Sequence, residues 1–145
     1  MASALQNLTT MGVKLDVPPD LSDPDVQEKL SPAAIKALVK IVDNWGITQE
    51  EARELIGGVS HGKYHEWKRG KASTLKQDEL TRVSLLLGIY RALNILYSKP
   101  LAASWVRLHN TNPLLSGNTP LEYMVRGGVP AMVTLRRLLD ARRGG

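Results

Sequence analysis

The residues best suited to chemistry lie in a short basic segment in the first half of the chain. Residues 60–71 carry four Lys or Arg against a single Glu, and they open with Ser60, which can cap a helix. Lys and Arg side chains on such a helix can contact DNA phosphates or guanine edges. The positions predicted to face DNA are Ser60, His61, Lys63, His65, Lys68 and Arg69. The alternative is a solvated basic helix within a structural bundle, and in either case we expect Tyr64 and Trp67 to face the core.

A phosphate-binding loop and a metal site are competing uses of this segment, but both patterns are incomplete. Residues 57–63 match most of the spacing of a phosphate-binding loop, yet Tyr64 stands where magnesium requires a Ser or Thr hydroxyl. His61 and His65 are four residues apart, as two metal ligands on a helix would be, but no third ligand is nearby. The chain also lacks a coherent set of nucleophile, base and orienting residue. We therefore predict no cofactor, no metal and no enzymatic activity.

A second basic region closes the chain, and its positive charge is entirely arginine. Arg136, Arg137, Arg142 and Arg143 surround and follow a predicted apolar helix face. That face is formed by Ala131, Met132, Leu135, Leu138 and Leu139. From spacing alone, this region is a candidate anchor for a partner, and the ordinary alternative is a solvated basic tail.

The composition describes a chain of single-domain size with an excess of cations. Its 145 residues include 19 Lys and Arg, 14 Asp and Glu, and no Cys. A chain of this length can form a core without disulfides, and the lack of Cys excludes thiol chemistry. The net charge of +5 favours an anionic partner. The longest apolar runs are far shorter than the roughly 20 residues that span a bilayer. The N-terminus does not resemble a secretory signal. We therefore expect a cytoplasmic protein with no membrane partner.

The elements that position these residues are all predicted to be helices. Residues 1–30 are polar and interrupted by prolines such as Pro24, so they are predicted to form a flexible or strap-like arm. Ser31 and Pro32 then predict an N-cap and a first helical residue, and apolar residues at helical spacing continue to about Trp45.

Two further short helices complete a predicted helix-turn-helix module over residues 31–72. Thr48 and Glu51 have the spacing of a capping box, and Gly57 and Gly58 supply a turn. Ser60 opens the third helix, which carries the basic positions. A cation-rich second helix after a glycine turn is typical of a recognition helix that lies in the major groove.

A long helix is predicted over residues 73–100, with Thr74 as its cap. It carries two apolar stripes, which is more apolar surface than a helix with one covered face needs. We expect the second stripe to be buried against another copy of the chain in a homodimer, whereas the alternative is a central helix buried within a monomer. The predicted dimerisation residues are Leu85, Ile89, Ala92 and Leu96.

The last predicted unit, residues 101–145, contains a helix through Trp105, a turn-rich stretch over residues 110–118 and two further helices. One is capped by Thr119 and the other begins at Pro130, and Gly127 and Gly128 separate them. The fold class is therefore all-α: an N-terminal helix-turn-helix module, a long central helix and a small helical C-terminal domain.

Several short motifs follow one another in a fixed order along residues 45–145. They are WGIT at 45–48, LIGGVS at 55–60, YHEWKRG at 64–70, IYRAL at 89–93, WVR at 105–107, NPL at 112–114 and GNTPL at 117–121. In this order they resemble the Xre/MbcA/ParS family of antitoxins, in which a DNA-binding-like module precedes a toxin-binding domain. One position departs from the family, since Ser116 stands where its members often have glycine.

The resemblance implies a type II antitoxin that acts on a toxin that consumes NAD, of the RES type or similar to an ADP-ribosyltransferase. The C-terminal domain would cover the toxin active site. The positions implied to contact the toxin are Arg136, Arg137, Leu139, Arg142, Arg143 and Gly144. The resemblance also implies that the protein binds operator DNA and represses its own operon as a homodimer within a larger toxin-antitoxin complex. The alternative is a stand-alone helix-turn-helix transcription regulator without a toxin.

Overall fold

The computed structural model describes residues 19–144, and over these residues the chain is helical with no strand. The six α-helices of residues 19–144 are α1 (Pro24–Trp45), α2 (Gln49–Leu55), α3 (His61–Lys68), α4 (Gln77–Leu96), α5 (Lys99–Ser104) and α6 (Pro120–Arg142). Two short 3₁₀ turns, Trp105–Arg107 and Pro113–Leu115, connect α5 to α6. The predicted all-α class, with an N-terminal helix-turn-helix and a long central helix, is confirmed.

The first described helix begins eight residues earlier than predicted, at Pro24 and not at Pro32. Asp23 is the N-cap, because its side chain accepts a hydrogen bond from the Asp25 N–H at 2.9 Å, and Pro24 is the first helical residue. The predicted start at Ser31 is wrong, because Ser31 lies inside α1, where its hydroxyl accepts a hydrogen bond from the Leu75 N–H at 2.7 Å. Residues 24–30 of the predicted arm are thus helical, and residues 1–18 lie outside the described part of the chain.

The helix-turn-helix is built from caps and a glycine turn, as predicted. The Thr48 hydroxyl accepts from the Glu51 N–H at 3.1 Å, and the Glu51 carboxylate accepts from the Thr48 N–H at 2.8 Å, which completes the capping box of α2. Gly57 and Gly58 both have positive φ (98° and 93°), a conformation that costs glycine little. The Arg53 side chain donates from Nε to the Val59 carbonyl oxygen at 2.8 Å and holds this turn.

The long helix α4 lies at the centre of the fold and packs mainly against α1 and α6. It begins at Gln77 and not after Thr74. The Leu75 N–H donates to the Ser31 hydroxyl, and the Lys76 N–H donates to the Glu79 carboxylate at 3.0 Å, so Lys76 is the residue that precedes the helix. The second apolar stripe is covered within the chain: Leu85, Ile89 and Ala92 are buried, and Leu96 is half-buried. The predicted dimer contact through Leu85, Ile89 and Ala92 is therefore wrong, because these side chains are buried within the chain as in the alternative of a buried central helix, whereas Leu96 stays a prediction.

The C-terminal part ends in α6, which bends where two helices were predicted to meet. Gly128 interrupts α6 with φ 64° and ψ −147°, so the predicted separation at the glycine pair is present as a kink. The Thr119 hydroxyl caps α6 by accepting from the Glu122 N–H at 3.1 Å. Ser116 has a left-handed φ of 51°, which explains why glycine suits this position. None of the helices between residues 19 and 144 has the length and apolarity that crossing a membrane requires.

Candidate functional site

The polar face of α3 is turned outward, and its aromatic face is turned inward. Tyr64 and Trp67 are buried, with exposed fractions of 1% and 3%, as the spacing predicts. Among the positions predicted to face DNA, only Lys63 is half-buried. The other five, Ser60, His61, His65, Lys68 and Arg69, are exposed. The structure therefore brings all six to one accessible helix, with Ser60 at its start and Arg69 at its end.

The burial of Tyr64 and Trp67 holds α3 against the core, and two contacts fix the position of the Trp67 ring. The Trp67 indole donates from Nε1 to the Ser73 hydroxyl at 2.8 Å, which ties the helix to the segment that follows it. The rings of Tyr64 and Trp67 meet edge to face with centroids 6.1 Å apart. Burial, assisted by the negative charge of Asp43, raises the pKa of Tyr64 to about 12, so its hydroxyl stays neutral at physiological pH.

The charges on α3 are suited to an anionic ligand. Ser60 uses its hydroxyl as the N-cap, where it accepts from the Lys63 N–H at 3.2 Å. His61 and His65 stack with their ring centroids 6.3 Å apart and their planes 5° from parallel. Within residues 19–144, no cluster of three or more His, Asp or Glu side chains could hold a metal ion. None of the ion pairs in that range involves Lys63, Lys68 or Arg69, so these cations are available to phosphates.

A groove of about 340 Å³ lies beside the end of α3, and it contains a cation that sequence reasoning missed. Its walls include Pro32, Lys36 and Val39 from α1, and Trp67 and Lys68 from α3. Lys36 thus shares a groove with Lys68, although the two are distant in sequence. The periodicity of α1 indicates that Lys36 is exposed, but it carries no information about which element lies beside it.

The C-terminal arginines divide into two groups. Arg136 lies along α6, where its Nε is 3.0 Å from the Asp140 carboxylate and its side chain is only 12% exposed. Leu139 is fully buried, so its predicted contact with a toxin is wrong: its side chain belongs to the core. Arg137, Arg142, Arg143 and Gly144 are exposed. The accessible part of the predicted toxin-binding set is therefore this second group.

The end of α6 is attached to the end of α4 by a contact that the sequence does not indicate. Arg142 donates from Nη1 to the Tyr97 hydroxyl at 3.0 Å, and the Tyr97 ring stacks on Trp105 with centroids 6.4 Å apart. Arg143 approaches Asp140 at 3.8 Å. The arginines near the chain end therefore belong to a part of the chain that is packed against the fold.

Two other arginines join the helix-turn-helix to the rest of the fold. Arg82 of α4 pairs with Asp78 at 2.8 Å and donates from Nη1 to the Leu55 carbonyl oxygen at 3.1 Å, at the last residue of α2. Arg107 donates to the carbonyl oxygen of Trp45, the last residue of α1. Because each satisfies a carbonyl that a helix end leaves free, the helix-turn-helix and the C-terminal part form a connected unit.

Two comparisons with known proteins bear on this helical arrangement. The family described as the antitoxin Xre-like helix-turn-helix domain matches residues 24–88, from the first residue of α1 into α4. A protein of Sinorhizobium fredii (strain NBRC 101917 / NGR234), named only as uncharacterized protein y4oB, is similar along most of its length. It is 31% identical over 125 residues, which cover 86% of this chain and 95% of that protein.

Proposed function

We propose that this chain, whose residues 24–88 match the antitoxin Xre-like helix-turn-helix domain, is an antitoxin that binds operator DNA and neutralises a cognate toxin. The observation that carries the proposal is the exposed basic face of α3 on a helix-turn-helix frame that matches this family. A second arginine-rich surface at the end of α6, distant in sequence from α3, supports a second partner.

The DNA contact is assigned to α3. Its N-terminal residues His61 and Lys63 would reach base edges in the major groove, and Lys68 and Arg69 at its other end would contact phosphates. Ser60 contributes through the cap, because its hydroxyl already accepts from the helix backbone. Because Trp67 and Tyr64 fix the helix to the core, little ordering of the backbone is needed on binding.

The toxin contact is assigned to the exposed end of α6, with Arg137, Arg142, Arg143 and Gly144 covering the toxin active site. A planar guanidinium can pair with a carboxylate through two hydrogen bonds or stack on an aromatic ring. Such groups line a pocket that holds NAD, so a RES-type or ADP-ribosyltransferase-like toxin suits these side chains. Arg136 has a positioning role, because its pairing with Asp140 keeps it on the helix.

The proposed function is tested by co-expressing this chain with the protein encoded next to it. The growth of the cells and their NAD content are measured with the neighbour alone and with both proteins. We expect the neighbour alone to deplete NAD and stop growth, and this chain to restore both. A harmless neighbour would reject the toxin partner, and operator binding by the chain alone would then identify a stand-alone regulator.

We also propose that the chain acts as a homodimer, as an operator with two half-sites requires.

A further inference from the structure

The side of α3 that is assigned to DNA continues into the groove beside it. His61, His65 and Lys68 follow one another at spacings of four and three residues, which places them on one side of the helix. Lys68 also lines the groove, next to Trp67, where α3 ends. The groove is therefore an extension of this side of α3, and α1 forms another of its walls.

The residues that line the groove combine positive charge with apolar surface. Its two charged residues, Lys36 of α1 and Lys68 of α3, are both basic and both exposed. Glu66, the acidic residue of α3, does not line it. The DNA backbone has the matching chemistry, because anionic phosphates alternate along it with sugars that offer C–H surface. The other described lining residues are uncharged: Pro32, Ile35, Val39, Trp67, Gly70 and Ala72.

The positive charge of Lys36 is not neutralised by its own helix. Residues 29–42 contain three Lys and no Asp or Glu. The acidic residues that flank this stretch, Glu28 and Asp43, are about 10–12 Å from Lys36 along the axis at 1.5 Å per residue. None of the ion pairs within residues 19–144 involves Lys36. This lysine is therefore available to an anion in the groove.

Two further cations stand where the chain leaves α3. Gly70 lines the groove and has a left-handed φ of 90°, which ends the helix and turns the chain. Arg69 and Lys71, on either side of Gly70 in the chain, are both exposed. The end of the groove at Gly70 is thus rich in positive charge.

We propose that the groove binds the backbone of the DNA whose major groove receives α3. Lys36 contacts a phosphate from α1 and Lys68 contacts another from α3, while Pro32 and Val39 face the sugars. Because phosphate contacts fix the orientation of a protein on the duplex, Lys36 helps to set how α3 enters the major groove. The inference rests on the proposed DNA binding and adds α1 to the interface.

The salt dependence of DNA binding tests the contact of Lys36. Fluorescence anisotropy measures the affinity of the full chain for a short duplex over a series of salt concentrations. The duplex has an arbitrary sequence, because a phosphate contact does not depend on the bases. Lys36→Ala should lower the slope of log affinity against log salt by about 0.9, whereas Lys36→Arg, which keeps the charge, should retain the slope.

The matched control is Lys29→Ala, because Lys29 is an exposed lysine of the same helix that does not line the groove. This variant should leave the slope unchanged, and circular dichroism verifies that each variant is folded. A slope that Lys36→Ala lowers no more than Lys29→Ala does would reject the inference and leave DNA binding by α3 intact. Failure of the unchanged chain to bind duplex DNA would reject the proposed DNA binding as well.

Protection of an introduced thiol locates the DNA independently of affinity. The chain has no Cys, so Lys36→Cys and Lys29→Cys each introduce a single thiol. The rate of labelling with an uncharged maleimide is measured with and without saturating duplex. DNA should slow the labelling at position 36 and not at position 29. Equal protection at both positions, or at neither, would contradict the inference. Slow labelling at position 36 without DNA would also reject it, because the groove would then be covered by residues 1–18 or by a second copy of the chain.

Discussion

Arg107 donates a hydrogen bond from Nε to the carbonyl oxygen of Trp45, which is 2.8 Å away and 62 residues earlier in the chain. Trp45 ends α1, and Gly46 follows it with a left-handed φ of 64°. The guanidinium thus donates to a carbonyl oxygen at the C-terminal end of a helix, where positive charge is favourable. This contact joins the C-terminal part of the chain directly to the helix-turn-helix.

Replacing Arg107 should weaken the whole fold. Arg107→Ala leaves the Trp45 carbonyl without its charged donor, and we expect the free energy of unfolding to fall by about 1–3 kcal/mol. Urea unfolding followed by circular dichroism measures it. Arg126→Ala, at an exposed position of α6, is the matched control and should change little. Two separate unfolding transitions in the unchanged chain would contradict the connected unit.

Leu139 and Arg143 lie four residues apart but should respond differently to substitution. Leu139→Ala removes a fully buried side chain and should lower the free energy of unfolding by about 2–5 kcal/mol. Arg143→Ala, at an exposed position, should leave that free energy nearly unchanged and act only on toxin binding. Thermal unfolding of both variants separates these effects, and equal destabilisation would be inconsistent with the burial of Leu139.

Tyr64 should make the fold sensitive to alkali. Burial raises the pKa of Tyr64 to about 12 from its ordinary value of 10.0, so the unfolded chain loses this proton first. Stability should therefore fall as the pH rises between these two values, by about 1.4 kcal/mol per pH unit from this residue. Urea unfolding of the unchanged chain and of Tyr64→Phe is compared across this range. Identical pH dependence in the two proteins would disprove the assignment.

The basic residues of α3 should control the salt dependence of DNA binding. Removing one cation that binds a phosphate should reduce the slope of log affinity against log salt by about 0.9. Lys68→Ala/Arg69→Ala should therefore bind more weakly and with a shallower slope, as measured by fluorescence anisotropy with operator DNA. Lys99→Ala, at an exposed position of α5, is the control. An unchanged slope would remove these two residues from the interface.

Local signals in the sequence predicted most helix ends, because a capping residue acts within three positions of the end it stabilises. Thr48 and Thr119 are examples, since each bonds a backbone N–H three residues later. The same local signal predicted a wrong helix start at Ser31. The Ser31-Pro32 pair lies inside α1, yet it has the same pattern of capping residue and proline as the true start at Asp23 and Pro24. Inside α1, the Ser31 hydroxyl donates to the Gln27 carbonyl oxygen and accepts from the N–H of Leu75, far along the chain.

The candidate sites were likewise predicted only where a local sequence pattern determines them. The outward face of α3 follows from helical periodicity, and so do its buried aromatic residues. Which stripe of α4 is covered depends on how α1 and α6 pack against it, and periodicity does not specify that. The contacts of Lys36 beside Lys68, and of Arg142 with Tyr97, likewise join distant segments and have no local signal.

In the proposed function, the exposed arginines near the end of α6 neutralise a toxin that consumes NAD. The most direct measurement is cellular NAD content when the neighbouring gene product is co-expressed with the triple variant Arg137→Glu/Arg142→Glu/Arg143→Glu, compared with Arg126→Glu and the unchanged chain. We predict that the triple variant is folded but fails to preserve NAD, whereas the other two preserve it. Full protection by the folded triple variant would contradict the claim.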